Sequence, residues 1–80
     1  MSLEDMRLTR ACQREVTRRY VDSNRMDIKV VNGVCYLNGE IRTVRGVDID
    51  LDSEIEMIER LLRGLPGIKD VVNYLRPAAY

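Results

Sequence analysis

Eighty residues allow one domain with a modest core, and a composition of 45% hydrophobic and 32% charged residues fits a folded chain rather than a disordered one. The formal net charge is zero, which disfavours a nucleic-acid binder, and no apolar run approaches the roughly 20 residues that a membrane-spanning helix needs. Histidine is absent and the two cysteines, Cys12 and Cys35, have no CxxC spacing, so the usual acid–base, nucleophilic and zinc-site chemistries lack their residues.

In chain order, Ser2 with Glu4 and Asp5 behind it reads as a helix start, and a helix is predicted over residues 4–22. Leu8, Cys12, Val16 and Tyr20 recur every fourth residue and form the stripe expected to be buried. Arg7, Arg10, Arg14 and Arg18 form a second stripe that lies nearly opposite it at 100° per residue. Arg19 falls nearer the apolar side and has either to snorkel or to mark the end of the packed face. Asp22-Ser23-Asn24 is turn chemistry.

Ile28 to Ile41 is the stretch around which the chain is organised. Two β-type runs, about 27–31 and 34–44, flank Asn32-Gly33. A type I′ turn needs φ > 0 at both central residues, and Asn-Gly meets that need best. A two-residue loop sets the register, pairing Val31 with Val34, Val30 with Cys35, Lys29 with Tyr36 and Ile28 with Leu37. Gly39 interrupts the second strand and predicts a bulge or a close backbone approach.

Val47 to Asp52 alternates strictly and is expected to form a short strand over 47–51, although Val47, Leu51, Ile55, Ile58, Leu62 and Leu65 also fit a helical stripe. Ser53 and Glu56 have capping-box spacing before a second helix, whose buried face is Ile55, Ile58, Leu61 and Leu62. Gly64 and Pro66 end it. A last strand over about 68–75 puts Val71 and Leu75 on one face and Val72 and Tyr74 on the other, and a short tail follows.

Two stretches carry a resemblance. Asn32-Gly33-Val34-Cys35-Tyr36-Leu37-Asn38-Gly39-Glu40-Ile41 and Leu65-Pro66-Gly67-Ile68-Lys69-Asp70-Val71-Val72-Asn73 resemble the two motifs of the BON domain, a small bacterial α/β module. The resemblance covers roughly residues 8–75, and the chain is several residues longer between Gly39 and Gly67 than a typical member. It implies a non-catalytic module that associates with phospholipid surfaces or with partner proteins. It also implies frequent occurrence in exported proteins. The chain as given has no signal-peptide apolar region and is expected to be cytoplasmic, or periplasmic if it is a domain excised from an exported protein.

The expected fold is α+β: a single domain over 1–80 in which two helices pack on one face of a three- to four-stranded mixed sheet, in the order α-β-β-(β)-α-β. The expected core is Leu8, Cys12, Val16, Ile28, Val30, Cys35, Leu37, Ile41, Ile55, Ile58, Leu62, Ile68 and Val71. Both cysteines fall on apolar faces and are expected as buried thiols, with a helix-to-sheet disulfide left open.

Three candidate sites follow. Arg7, Arg10, Arg14 and Arg18 can contact phosphates of an anionic phospholipid surface, or form a solvated face balanced by the acidic run 46–59. That stripe holds no aromatic or large apolar residue to enter a bilayer. Val31, Val34, Tyr36, Val72 and Tyr74 fall on the sheet face away from the helices and can serve a homodimer or a partner protein. Asp48, Asp50, Asp52 and Glu59 occupy positions 1, 3, 5 and 12 of a calcium-loop spacing, but Ser53 stands where the sharp turn wants Gly. No cofactor is expected, no catalytic residue is assigned, and nucleic acid is disfavoured because no aromatic platform accompanies the arginines.

Overall fold

The computed structural model describes residues 2–44 and 46–78. Asn32 (φ 52°) and Gly33 (φ 80°) both take the positive φ that a type I′ turn demands. They join β2 (Met26–Val31) to β3 (Val34–Thr43) in the predicted register, from Val31 opposite Val34 to Met26 opposite Gly39. Beyond Gly39 the partner edge continues as β1 (Val21–Asp22), where Val21 faces Thr43 and Asp22 faces Arg42. Residues 23–25 thus stand opposite residues 40–41, which is a one-residue bulge. Gly39 has φ 91°, and the Glu40 N–H donates to the Arg25 carbonyl at 3.0 Å across the bulge.

The other edge of β3 is parallel. β4 (Asp70–Asn73) pairs from Val34–Asp70 to Leu37–Asn73, and β5 (Arg76–Pro77) pairs with Glu40 and Ile41. The two keep one register, since the first pair of each differs by the same number of residues. They are separated at Tyr74–Leu75, where the Leu75 N–H donates to the Asn73 side chain. The sheet is therefore mixed, and one long strand carries four shorter ones. Where a tail was expected, Arg76 and Pro77 extend the edge; Pro77 has no N–H, and the next one, of Ala78, bonds the Ile41 carbonyl.

α1 (Leu3–Thr17) begins as predicted, with the Asp5 N–H donating to Ser2 Oγ at 3.0 Å. It ends five residues before the predicted end. Val21 is drawn into β1 and buried there, so Tyr20 leaves the helical stripe and is 66% exposed. α2 (Leu51–Arg63) begins earlier than its capping box suggests. The strand predicted over 47–51 does not form: residues 47–50 are irregular, Leu51 opens the helix, and Asp50 is its N-cap. Aspartate is poor in a helix interior but favourable in the first turn, where Asp50, Asp52 and Glu54 face the positive end of the dipole. Ser53 is inside the helix, its hydroxyl 2.7 Å from the Asp50 carboxylate. The sequence also reads Arg45-Gly46 as a turn that extends the hairpin into that strand, and Arg45 lies outside the described residues.

Both helices cover one face of the sheet, and a single core holds every predicted residue except Ile68, which is half-buried, while Val21 joins it. Leu61, predicted on the buried face of α2, is exposed.

At one end of the molecule the start of α1, the hairpin turn and the Pro66-Gly67 loop converge. The buried Asp5 carboxylate accepts the N–H groups of Asn32 (2.9 Å) and Gly33 (3.2 Å). The Lys69 N–H donates to the Gly33 carbonyl at 2.8 Å, and a side chain on Gly67 would meet Leu8. One turn along α1, Thr9 Oγ1 accepts the Val30 N–H at 3.0 Å. Four residues of helix rise about 6 Å and two residues of strand about 6.6 Å, so side chains at i and i+4 meet alternate amides on the outer edge of β2.

The bonds from the Asn32 and Gly33 amides hold the Asp5 carboxyl below its usual range. A lowered folded pKa stabilises the fold fully above the unfolded value near 4, and that contribution is lost as pH falls through the lower folded value. Asp5→Asn should therefore lower the urea midpoint at pH 7, and wild type and variant should converge on acidification below about pH 4. Equal midpoints at pH 7 would show that the carboxylate does not hold the turn.

Candidate functional site

The apolar side of α1, with Leu8, Cys12 and Val16, is fixed against the sheet. The opposite side is therefore fixed toward solvent, and Arg7, Arg10, Arg14 and Arg18 stand on it, all exposed. Arg18 is 3.3 Å from Glu15. Arg7, Arg10 and Arg14 make no ion pair among the described residues. The acidic run does not neutralise them. Glu54 reaches α1 but receives Arg19, whose Nε and Nη2 donate to its two carboxylate oxygens, and so ties the end of α1 to the start of α2. Arg19 thus leaves the apolar side through a bidentate pair rather than by snorkelling to water.

Two neighbours change the character of this face. Leu3 is 66% exposed and Met6 is 42% exposed. Leu3 precedes Arg7 by four residues and Met6 precedes Arg10 by four, so each apolar side chain lies one turn along from an arginine. The expectation that the stripe holds no large apolar residue is therefore wrong at its N-terminal end. Spacing alone carries the signal, which is missed when the stripe is counted from its first arginine.

Val31, Val34, Tyr36 and Val72 do share the sheet face opposite the helices, with Tyr74 one residue past the end of β4. Val31 and Tyr74 are exposed, and Val34, Tyr36 and Val72 are half-buried. The apolar strip is short. Lys29, Asp27, Asn38 and Asp70 interrupt or bound it, and beyond the bulge Glu40 lies within 4 Å of both Arg25 and Arg42.

The structure does not bring the acidic candidates together. Asp48 lies in the irregular segment, Asp50 caps α2, and Asp52 and Glu59 are carried along the helix. Residues 51–59 are helical, whereas a calcium loop has to wrap its ion. Among the described residues no group of three His, Cys, Asp or Glu side chains stands close enough to hold a metal.

A cleft of about 290 Å³ lies between the end of α1 and the outer edge of β2, lined by Gln13, Thr17, Ser23, Met26, Asp27 and Ile28. Asp27 is the one titratable group in its lining, so it offers no acid–base pair. No described helix is long and apolar enough to cross a membrane.

A family model described as BON domain matches residues 4–78, nearly the whole chain. No curated protein and no solved structure matches the chain.

Proposed function

The chain belongs to the BON domain family, and from that premise we propose that it is a non-catalytic binding module that docks on anionic phospholipid surfaces through the outer face of α1. The observation that carries the proposal is the row of Arg7, Arg10 and Arg14, without ion-pair partners among the described residues, beside the exposed Leu3 and Met6. Guanidinium groups meet phosphates in a bidentate fork, and two apolar side chains at one end give the helix a short segment to place among acyl chains. Each basic residue near an anionic surface contributes about 1 kcal/mol, so the association is modest and salt-sensitive.

The test is co-sedimentation with vesicles of phosphatidylcholine alone and with phosphatidylglycerol added. Binding to the anionic vesicles alone is expected, with loss as the Debye length falls from about 30 Å at 0.01 M salt to about 3 Å at 1 M. No binding to anionic vesicles at low salt rejects the proposal.

A second reading rests on the open sheet face, favoured by the exposure of Val31 and Tyr74: a homodimer or a partner protein docks there. A sedimentation series that stays monomeric rejects the homodimer.

A further inference from the structure

The two outer edges of the sheet are closed differently. On β2 the Asn32 and Val30 amides are taken by Asp5 and Thr9, which stand on a packed helix and cannot swing aside. On the opposite edge nothing among the described residues pairs with the outer side of β4 and β5. The Tyr74 N–H donates inward to the Leu37 carbonyl, so by the alternation of a strand Val71, Asn73 and Leu75 turn their backbone groups outward. Side chains alone hold some of these groups. The Val71 N–H donates to Asp70 at 2.8 Å, the Leu75 N–H to the Asn73 side chain at 2.8 Å, and the Val71 carbonyl accepts from Arg63 at 3.4 Å. The backbone N–H and C=O of Asn73 have no hydrogen-bond partner among the described residues. Asp70, Asn73, Tyr74 and Arg76 are all exposed.

We propose that this edge is a self-association site, on which a second copy of the chain lays its own β4 antiparallel to β4 about a two-fold axis at Asn73. Asn73 then faces Asn73 of the second copy and exchanges both backbone hydrogen bonds with it. The same register sets Val72 opposite Tyr74, Val71 opposite Leu75 and Asp70 opposite Arg76, each pair occurring on both sides of the axis. Charge selects the register. Moving the axis to residue 72 or 74 sets Asp70 opposite Tyr74 or Ala78 and loses both ion pairs. In the chosen register the Val71 and Leu75 amides exchange side-chain acceptors for backbone carbonyls, which releases Asp70 to meet Arg76.

The pairing closes on itself. Pro77 takes the next outward position and has no N–H to give. A two-fold contact uses the same edge on both copies, and the edges left over are the two β2 strands guarded by Asp5 and Thr9, so growth stops at a dimer. The axis runs along the sheet normal. The helices of both copies therefore lie on one side of the joined sheet.

Sedimentation of the chain from tens to hundreds of micromolar, with amide hydrogen exchange read at the same concentrations, tests the proposal. The wild type should pass from monomer to dimer, and the Asn73 amide should gain protection as the dimer fills. Asp70→Arg and Arg76→Asp each set like charges opposite one another on both sides of the axis, and each should raise the dissociation constant about tenfold or more. Asp70→Arg/Arg76→Asp restores both pairs with the signs exchanged and should bring the constant back toward that of the wild type. Tyr36→Lys, on the open face of the central strand, should leave the dimer in place. Circular dichroism checks the fold, and if one single variant does not fold the other carries the same repulsion. A monomer throughout the wild-type series, a dimer whose Asn73 amide gains no protection, a double variant as weak as the single ones, or a dimer lost in Tyr36→Lys would overturn the proposal.

Discussion

Gly39→Ala should be the most damaging small substitution in this chain, with a loss of about 3 kcal/mol or more. The added Cβ would stand 2.2 Å from the Arg25 carbonyl oxygen, a backbone atom that cannot swing aside. The same oxygen accepts the Glu40 N–H, so relief of the clash breaks the bond that closes the bulge. φ at this position is 91°, which adds a conformational penalty for any residue with a Cβ. β1 is paired to β3 just beyond the bulge and would be strained with it. Gly46 separates the two causes: its φ is 85° but nothing lies within 4 Å of an added Cβ. Gly46→Ala should therefore cost only the conformational part, about 1 kcal/mol. Urea unfolding of the two variants checks this, and equal losses would show that close approach at the bulge contributes nothing.

Arg7→Glu/Arg14→Glu should abolish measurable binding to anionic vesicles at low salt. At about 1 kcal/mol per basic residue, two attractions are lost and two repulsions of similar size appear, roughly 4 kcal/mol or up to a thousandfold in affinity. Neither arginine has an ion-pair partner among the described residues, so the fold should survive, as read by circular dichroism. Lys29→Glu/Lys69→Glu makes the same change in net charge at exposed positions away from the outer face of α1. With both double variants compared at about 0.1 M salt, where the Debye length is about 10 Å, it should weaken binding far less, because charges farther than that from the surface are largely screened. Equal losses in the two double variants would mean that net charge, not the helix face, governs binding.

The hairpin was legible in the sequence because Asn32-Gly33 admits one favoured turn, and that turn dictates every pair down to Ile28 and Leu37. The helical stripes were legible for the same reason, since Leu8, Cys12 and Val16 repeat with a fixed period. Failures came where tertiary context outweighed the local pattern. Strict alternation over Val47–Asp52 suggested a strand, but aspartates that weaken a helix interior stabilise its first turn. Tyr20 kept the period of α1, but burial of Val21 in β1 removed it from the helix. Asp5 looked like an acid in a first turn; its bonds to Asn32 and Gly33, far along the chain, have no local signature.

The family's motif residues have structural jobs here. Asn32 and Gly33 make the turn, Gly39 makes the bulge, Leu37 is fully buried in the core, and Gly67 passes close to Leu8. This accounts for a resemblance that reveals the fold without assigning a ligand. The candidate site had to be read from the exposed side of α1, where Leu3 and Met6 stand one turn before Arg7 and Arg10.

The central claim is that the outer face of α1, not the open sheet face, meets the membrane. Backbone amide line broadening on addition of phosphatidylglycerol-containing bilayer discs at low salt tests it most directly, residue by residue. The amides of α1 from Leu3 to Arg14 should broaden first and most, those of Lys29, Val31, Tyr36 and Val72 should keep their intensity, and high salt should restore the spectrum. Broadening centred on Val31, Val34, Tyr36 and Val72 with α1 intact would contradict the account and move the site to the open sheet.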